Sequence, residues 1–539
     1  MINSSTDSIN YINADRIAPF LWDDIANLKN WRDRVAWPIS GIFSRKLGDS
    51  VVCEAMSVAS KIENDFEKQL VMVSSGRFIN GFLSLAEAAY VAQGEVRENI
   101  LPIGGPPELD AMRKGGEKFS VLEDRHRGKG VIDIKPVGNP VLRSIARTAS
   151  WTYPSTLPVS MLFPKGIAIT HNAMLRNYAK YTGEKIRYWP AANILNSVRS
   201  LNEFKDDEYI VSKLTEHMAK QLMSCVVDLE EPWYGRLNAL FIARLTPTVR
   251  QISSDLRSLR KLKKLPKCLW TGTGSAYATR VIASEIERRG GEVTGFDHGG
   301  VTAISQSLPL TANGELMIAS RFCVGTQAWA HLLEESKAAK LSKKFGGCKI
   351  IYGLGEPTFR SACIDSSANK KLRVLYIGHP YRALRQFALA GTPDVLYWDL
   401  QSRVAKFISG LNVNLICKPH PEGHFVGCKN PIEDIAPTSY KRFESHLKET
   451  DVFVFDAPTS TTFAEALCTN RPVVLIDRGH YPVNPSIEKE IFKRCRLVET
   501  KNDNNNRINP DFEALEAAIL GRPYEVDPSY FRMLLAGVS

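Results

Sequence analysis

CLWTGTGSAYATRVIASEIERRGGEVTGFDHGG, residues 268 to 300, is the stretch whose reading decides the fold. An apolar run, CLW, leads into the glycine turn TGTGS; a helical stretch, YATRVIASEIERRG, follows, and a second apolar run ends at His298. Strand, turn, helix and strand in that order require a parallel pair, because the return path is a crossover and not a hairpin.

Working outward, GIAITHN (166–172) repeats the strand-to-polar ending, and LVMVSS (70–75) before FLSLAEAAYVA (82–92) reads as strand then helix. Past a glycine-, serine- and lysine-rich passage, residues 346–371, the alternation restarts. It runs through LRVLYIG (372–378), a helix around 404–408, NLICKPHP (414–421), DVFVFDAPTSTTFAEAL (451–467) and PVVLID (472–477). The expected fold class is α/β, with two Rossmann-like domains facing each other across a cleft. The boundary is placed at 366–370, giving an N-terminal domain with an extension over 1–365 and a C-terminal domain over 366–539. The last segment, 512–535, reads as one amphipathic helix that packs back on the N-terminal domain.

A chain of 539 residues with 44% hydrophobic content exceeds what one core organises, in line with two domains. Its net charge of +11 draws anionic partners without choosing among nucleic acid, acidic lipid and phosphorylated substrate. The densest basic run, RSLRKLKKLPK (257–267), alternates bases with leucines, as a helix lying on an anionic membrane does, and equally as a solvated helix face does. Ten cysteines without a CxxC pair read as small apolar residues of a reducing compartment, with no metal site. The start, MINSSTDSINYINADRIAPF, has no leader pattern, and no run of about 18 apolar residues occurs. A cytoplasmic protein is expected, placed at the inner face of the membrane if the basic run is a contact.

Ligands of doubly wound sheets bind beyond the carboxyl ends of the strands, so polar residues that close apolar runs are the candidates. In KPHP, Lys418 and His420 beside Pro421 suit a phosphate. In DAPTSTTFAE, Ser460, Thr461 and Thr462 offer hydroxyls at a helix start, Thr462 with Glu465 has capping-box spacing, and Glu465 could accept from a ribose or base. FDHGG pairs Asp297 with His298, and Gly299 and Gly300 permit close approach by a substrate or another chain. Asp297 is the candidate general base or nucleophile with His298 as partner, although neighbours on a strand point to opposite faces. TGTGS lacks the third glycine of a dinucleotide loop, which leaves Gly272, Thr273 and Gly274 as substrate contacts. His379 and Arg382 follow the strand LRVLYIG. His171 and Asn172 follow GIAIT and favour a structural role, and DLEEP (228–232) reads as a loop.

FDHGG, KPHP and DAPTSTTFAEAL, in that order, resemble the motifs of bacterial capsule and lipopolysaccharide glycosyltransferases of the GT-B type. The closest likeness is to those that use CMP-activated 3-deoxy-2-ulosonic acids such as Kdo, sialic or pseudaminic acid. The resemblance implies that Asp297, with Gly299, supplies the acid of a D/E-D/E-G motif. It implies that His420 and Pro421 contact the CMP phosphate and that Ser460 to Thr462 form the hydroxyl motif; His298 stands where those families have a second acid. It further implies a nucleotide-sugar donor, a glycan or lipid-linked glycan acceptor, no metal and no cofactor.

Other enzyme readings of the same frame are a CDP-polyol phosphotransferase and a sugar-nucleotide epimerase. A non-enzymatic reading, a basic protein that binds membrane or nucleic acid, rests on charge alone. No base-stacking aromatic motif accompanies that charge, so nucleic acid is not an expected partner.

Overall fold

The computed structural model describes residues 31–35, 37–98, 107–115, 139–199, 207–305, 308–355, 357–363, 372–381, 392–420, 430, 432–480, 483–521 and 526–538. Among them, two six-stranded sheets form. The first consists of β1 (Gly166–Ala168), β2 (Ile186–Tyr188), β3 (Cys268–Thr271), β4 (Glu292–Phe296), β5 (Arg321–Val324) and β6 (Lys349–Tyr352). Its order is β2-β1-β3-β4-β5-β6, with every pair parallel.

The second sheet consists of β7 (Arg373–Ile377), β8 (Asn414–Lys418), β9 (Val452–Phe455), β10 (Val473–Asp477), β11 (Cys495–Asn502) and β12 (Ile508–Pro510). Its order is β12-β11-β10-β9-β7-β8, and only β11 with β12 is antiparallel. In each sheet the strand order reverses between the first and third strands, β1/β3 and β7/β9, which is where open α/β sheets leave a crevice. Strands β3 and β9 are buried along their whole length, as parallel strands covered on both faces must be.

Several sequence expectations change. The run Leu70–Ser75 is not a strand but part of one helix, Asp65–Glu98, whose start is capped by Asn64 accepting from the Phe66 and Glu67 amides at 2.9 and 3.0 Å. This helix packs on Gly41–Lys61, Glu208–Met223 and Trp233–Lys261 and is covered on several sides, so its apolar residues lose the one-sided period that marks a surface helix. Arg280, fully buried, ties this layer to the first sheet. Its guanidinium donates to the Met72 and Asn313 carbonyls, both at 2.6 Å, and burial lowers its pKa to about 10.

The basic run 257–267 is likewise not a membrane-facing helix: the helix ends at Lys261, Leu256 and Leu259 are buried, Arg257 pairs with Asp207, and Arg260 donates to Gln69. The passage 346–371, expected as a connection, contains β6 and the helix Pro357–Ala362. The expected boundary at 366–370 lies outside the described residues. The final segment 512–535 is not one helix. Phe512–Leu520 stops at Gly521, and a separate turn over 529–536 follows Pro528.

The first and last described segments cross between the two sheets' layers. Trp31 stacks on Trp398 at 4.5 Å, and Trp37 exchanges backbone and amide bonds with Asn505 and Asn506 beside β12. At the other end, Thr326 after β5 donates to the Leu534 carbonyl, and Arg360 donates to that of Ala536 at 2.9 Å.

Helix Asp394–Gly410 is pinned to the β12 edge by Asp399, which is fully buried and accepts from the guanidinium groups of Arg403 and Arg507 at 2.6 to 2.9 Å. Removing one partner of a buried ion cluster strands the other charges in a poorly solvating interior. Asp399→Ala is therefore expected to lower unfolding free energy by about 3–5 kcal/mol in denaturant titration; a loss below about 1 kcal/mol would show that the two arginines find other partners.

Candidate functional site

The turn after β4 is built by Asp297. Its amide donates to the Cys323 carbonyl at 2.9 Å, its Oδ2 accepts from the Gly300 amide at 2.8 Å, and its Oδ1 accepts from the Thr302 hydroxyl. The carboxyl is 1% exposed, and burial raises its pKa against the lowering effect of those two bonds. His298, the next residue, lies in the turn past the end of β4 and is exposed. Of the expected catalytic pair, only the imidazole faces outward.

Gly299 and Gly300 both have φ of +78°, a region that L side chains rarely adopt. A Cβ on Gly299 would collide with Thr461 Oγ1, and one on Gly300 would press on Phe359 and Ala464. The close approach that these glycines allow is therefore between the two sheets' own loops. It brings the FDHGG turn and the hydroxyl turn after β9 into contact.

In that second turn, Ser460 caps helix Thr461–Leu467 by accepting from the Phe463 amide at 3.1 Å, and its Oγ lies 2.9 Å from Thr462 Oγ1. The capping position is Ser460 and not Thr462, so the expected Thr462–Glu465 box does not form. Ser460, Thr461 and Thr462 keep partial exposure, whereas Glu465 is buried. Glu465 lies instead near Lys418, which is itself buried; burial lowers the lysine's pKa, and the carboxylates of Glu444 and Glu465 oppose that shift.

His420, two residues beyond β8, is half-buried, and Pro421 and Arg382 lie outside the described residues. Ile377 of β7 is in register with both Lys418 and Phe455, so His379, His420 and Ala457 stand at one level past the strand ends. Beneath them Asp456 Oδ2 accepts from the phenols of Tyr376 and Tyr397 at 2.7 and 2.9 Å, and the buried guanidinium of Arg478 lies 3.9 Å from the other oxygen. Tyr397 also accepts from the His379 amide. Arg478 was not singled out from the sequence, although it follows the apolar run PVVLID as a strand-end residue does.

In the first sheet, Gly272 and Gly274 are buried, and a Cβ on either would meet the backbone of His171 and Asn172 or of Gly314. These glycines serve packing between loops, while Thr273 stays half-buried with Oγ1 at 3.3 Å from Ser275 Oγ. Asn172 caps its own helix and donates to the carbonyls of Gly272, Phe296 and Asp297 at 2.9 to 3.1 Å, knitting the ends of β1, β3 and β4. His171 is held largely neutral, with its pKa lowered to about 4 by burial and by Arg147, Arg176 and Arg143. In the DLEEP loop, Glu230 pairs with Arg97 at the surface.

Glu315 escaped the sequence reading because it closes no apolar run. It is half-buried beside the TGTGS loop, where Oε2 accepts from the Gly274 amide at 2.8 Å and the other oxygen has no hydrogen-bond partner among the described residues. Burial, reinforced by the charge of Asp297, raises its pKa to about 8. A carboxyl that holds its proton near neutral pH can donate or accept one, as a general acid or base must.

Gly299→Ala is expected to lower stability by about 1–3 kcal/mol in urea unfolding, through backbone strain and the Thr461 contact together; an unchanged midpoint would show that the two turns separate easily. The folded pKa of Glu315 lies above its unfolded value, so its stabilising contribution is full in acid and is lost as pH rises from about 4 toward 8. The melting temperature of Glu315→Gln should accordingly gain on that of the wild type between pH 5 and 8 and level off above. A difference independent of pH would return Glu315 to an ordinary carboxyl.

No protein-family model matches this chain, and neither a curated protein nor a solved structure is significantly similar to it.

Proposed function

We propose that the chain is a glycosyltransferase of GT-B organisation that moves a sugar, of the 3-deoxy-2-ulosonic acid class, from a CMP donor to a bacterial surface glycan. The observation that carries this reading is the contact of the Gly299 turn with Thr461, which sets an exposed imidazole from one sheet beside a row of hydroxyls from the other. The donor lies along that seam. Its single phosphate meets His420 and the hydroxyls of Ser460, Thr461 and Thr462.

In the transfer, an acceptor oxygen attacks the anomeric carbon as the bond to the phosphate oxygen breaks, and CMP leaves with the electron pair. His298 takes the acceptor proton. Asp297 is a positioning residue: both its oxygens are engaged in the glycine turn that carries His298. A CMP-ulosonate brings one phosphate and its own carboxylate, a charge load that fits a net basic protein.

CMP should raise the melting temperature of the protein where UDP, GDP and NAD do not, by about 2.7 kcal/mol of stabilisation at a hundred times its Kd. His420→Ala is expected to abolish that shift. His298→Ala should keep it and lose transfer by about 10²–10⁴-fold. A preference for another nucleotide would sink the donor assignment, and full turnover by His298→Ala would remove the base.

A further inference from the structure

Two short helices on the first sheet's side are built inside out. Helix Pro140–Ala149 buries Ser144 and Thr148 against β2, where Ser144 donates to the Tyr188 carbonyl and Thr148 accepts from the Tyr188 amide at 2.9 Å. It turns Val141, Leu142 (65% exposed) and Ile145 to the outside. Helix Leu157–Leu162 repeats the inversion: Ser160 is fully buried, while Leu162 and the following Phe163 are 72% and 75% exposed. A helix folding for water alone places its apolar stripe inward.

The inversion is local. Eight of the nineteen large apolar side chains exposed among the described residues fall between Val141 and Tyr181, including Tyr153 in the turn that joins the two helices. The same region is strongly cationic: from residue 139 to 185 the sequence has six lysines and arginines and a single acid, Glu184, which pairs with Lys165 at 3.0 Å. Arg143 and Arg147 are half-buried on the first helix, flanking its outward apolar residues, and both act with Arg176 on the nearby His171. A cleft of about 290 Å³ lined by Tyr153, Tyr181 and Leu354 opens beside this face.

We infer that this face, helices 140–149 and 157–162 with Phe163, docks on an anionic lipid bilayer. The apolar side chains enter the headgroup region, the aromatic rings sit at its boundary, and the arginines meet lipid phosphates. Charge decides between a bilayer and a second copy of the chain. Two such faces brought together would set like charges against each other, whereas an acidic leaflet neutralises them. Among the described residues no helix is long and apolar enough to cross a membrane, so the contact is a surface one. The inference does not depend on the sugar-transfer reading and stands or falls without it.

The test is flotation of the full chain with vesicles of phosphatidylcholine alone and of phosphatidylcholine with roughly a third phosphatidylglycerol. The protein should float with the acidic vesicles, in a manner that weakens with salt, and stay behind with the neutral ones. The pair Leu142→Ser with Phe163→Ser and the pair Arg143→Glu with Arg147→Glu should each reduce partitioning on the order of tenfold or more. Circular dichroism and melting temperature should be unchanged for the apolar pair, whose side chains already face solvent. A wild type that ignores acidic vesicles, or variants that float as well as it does, would overturn the assignment. So would a dimer in solution that the same substitutions dissolve, since the face would then belong to a second copy.

Discussion

The arrangement hangs on a steric constraint at positions 299 and 300. Two consecutive residues with φ near +78° whose Cβ positions are occupied by a neighbouring loop can only be glycine. Asp297 holds that conformation from inside by accepting from Gly300 and Thr302, and Thr461 closes it from outside. The ends of β4 and β9 are thus set against each other by hard contact. Asn484, which donates to the carbonyls of Ile304 and Ala303, extends the seam on one side.

Around the seam, polar groups at the strand ends are spent on holding the loops. Asn172 spans three strand ends, and Asp456 gathers two phenols. Asp456 is desolvated and Asn172 half-buried, and the fixed partners of each hold the loop above it. The partly or fully exposed polar groups at these strand ends are His298, the hydroxyls of Ser460 to Thr462 and His420. Donors and acceptors fixed on a rigid base need not reorganise when charge develops beside them.

Much of this was legible in the sequence, for a physical reason. Parallel strands covered on both faces are near-continuous apolar runs, so CLW, LRVLYIG, VFVF and PVVLI declare themselves, and the polar residues that end them fall at the crevice. What could not be read is direction and depth. FDHGG does not say which of two neighbours faces out, and DAPTSTTFAE does not say whether Ser460 or Thr462 caps. The run LVMVSS was misread because a helix buried on several sides has no one-sided period, and 257–267 because the acid that neutralises Arg257 lies fifty residues away in Asp207. Glu315 gave no signal, since its environment is made by the Gly274 loop and by Asp297, both remote in sequence.

The crossing of the first and last described segments ties the two sheets together. Neither layer is completed by its own stretch of chain: Trp31 and Trp37 cover the second sheet's side, and the 532–536 turn seals the loops after β5 and β6 through Thr326 and Arg360. Cys468, at the end of the helix carrying the hydroxyl turn, meets the same C-terminal turn through the Phe531 carbonyl and the Arg532 side chain. The C-terminal segment therefore touches both partners of the seam. Any motion that opened the Gly299–Thr461 contact would have to carry that segment with one side and strip it from the other. Such opening would break several hydrogen bonds at once, those of Thr326 and Arg360 to the C-terminal turn or those of that turn to Cys468.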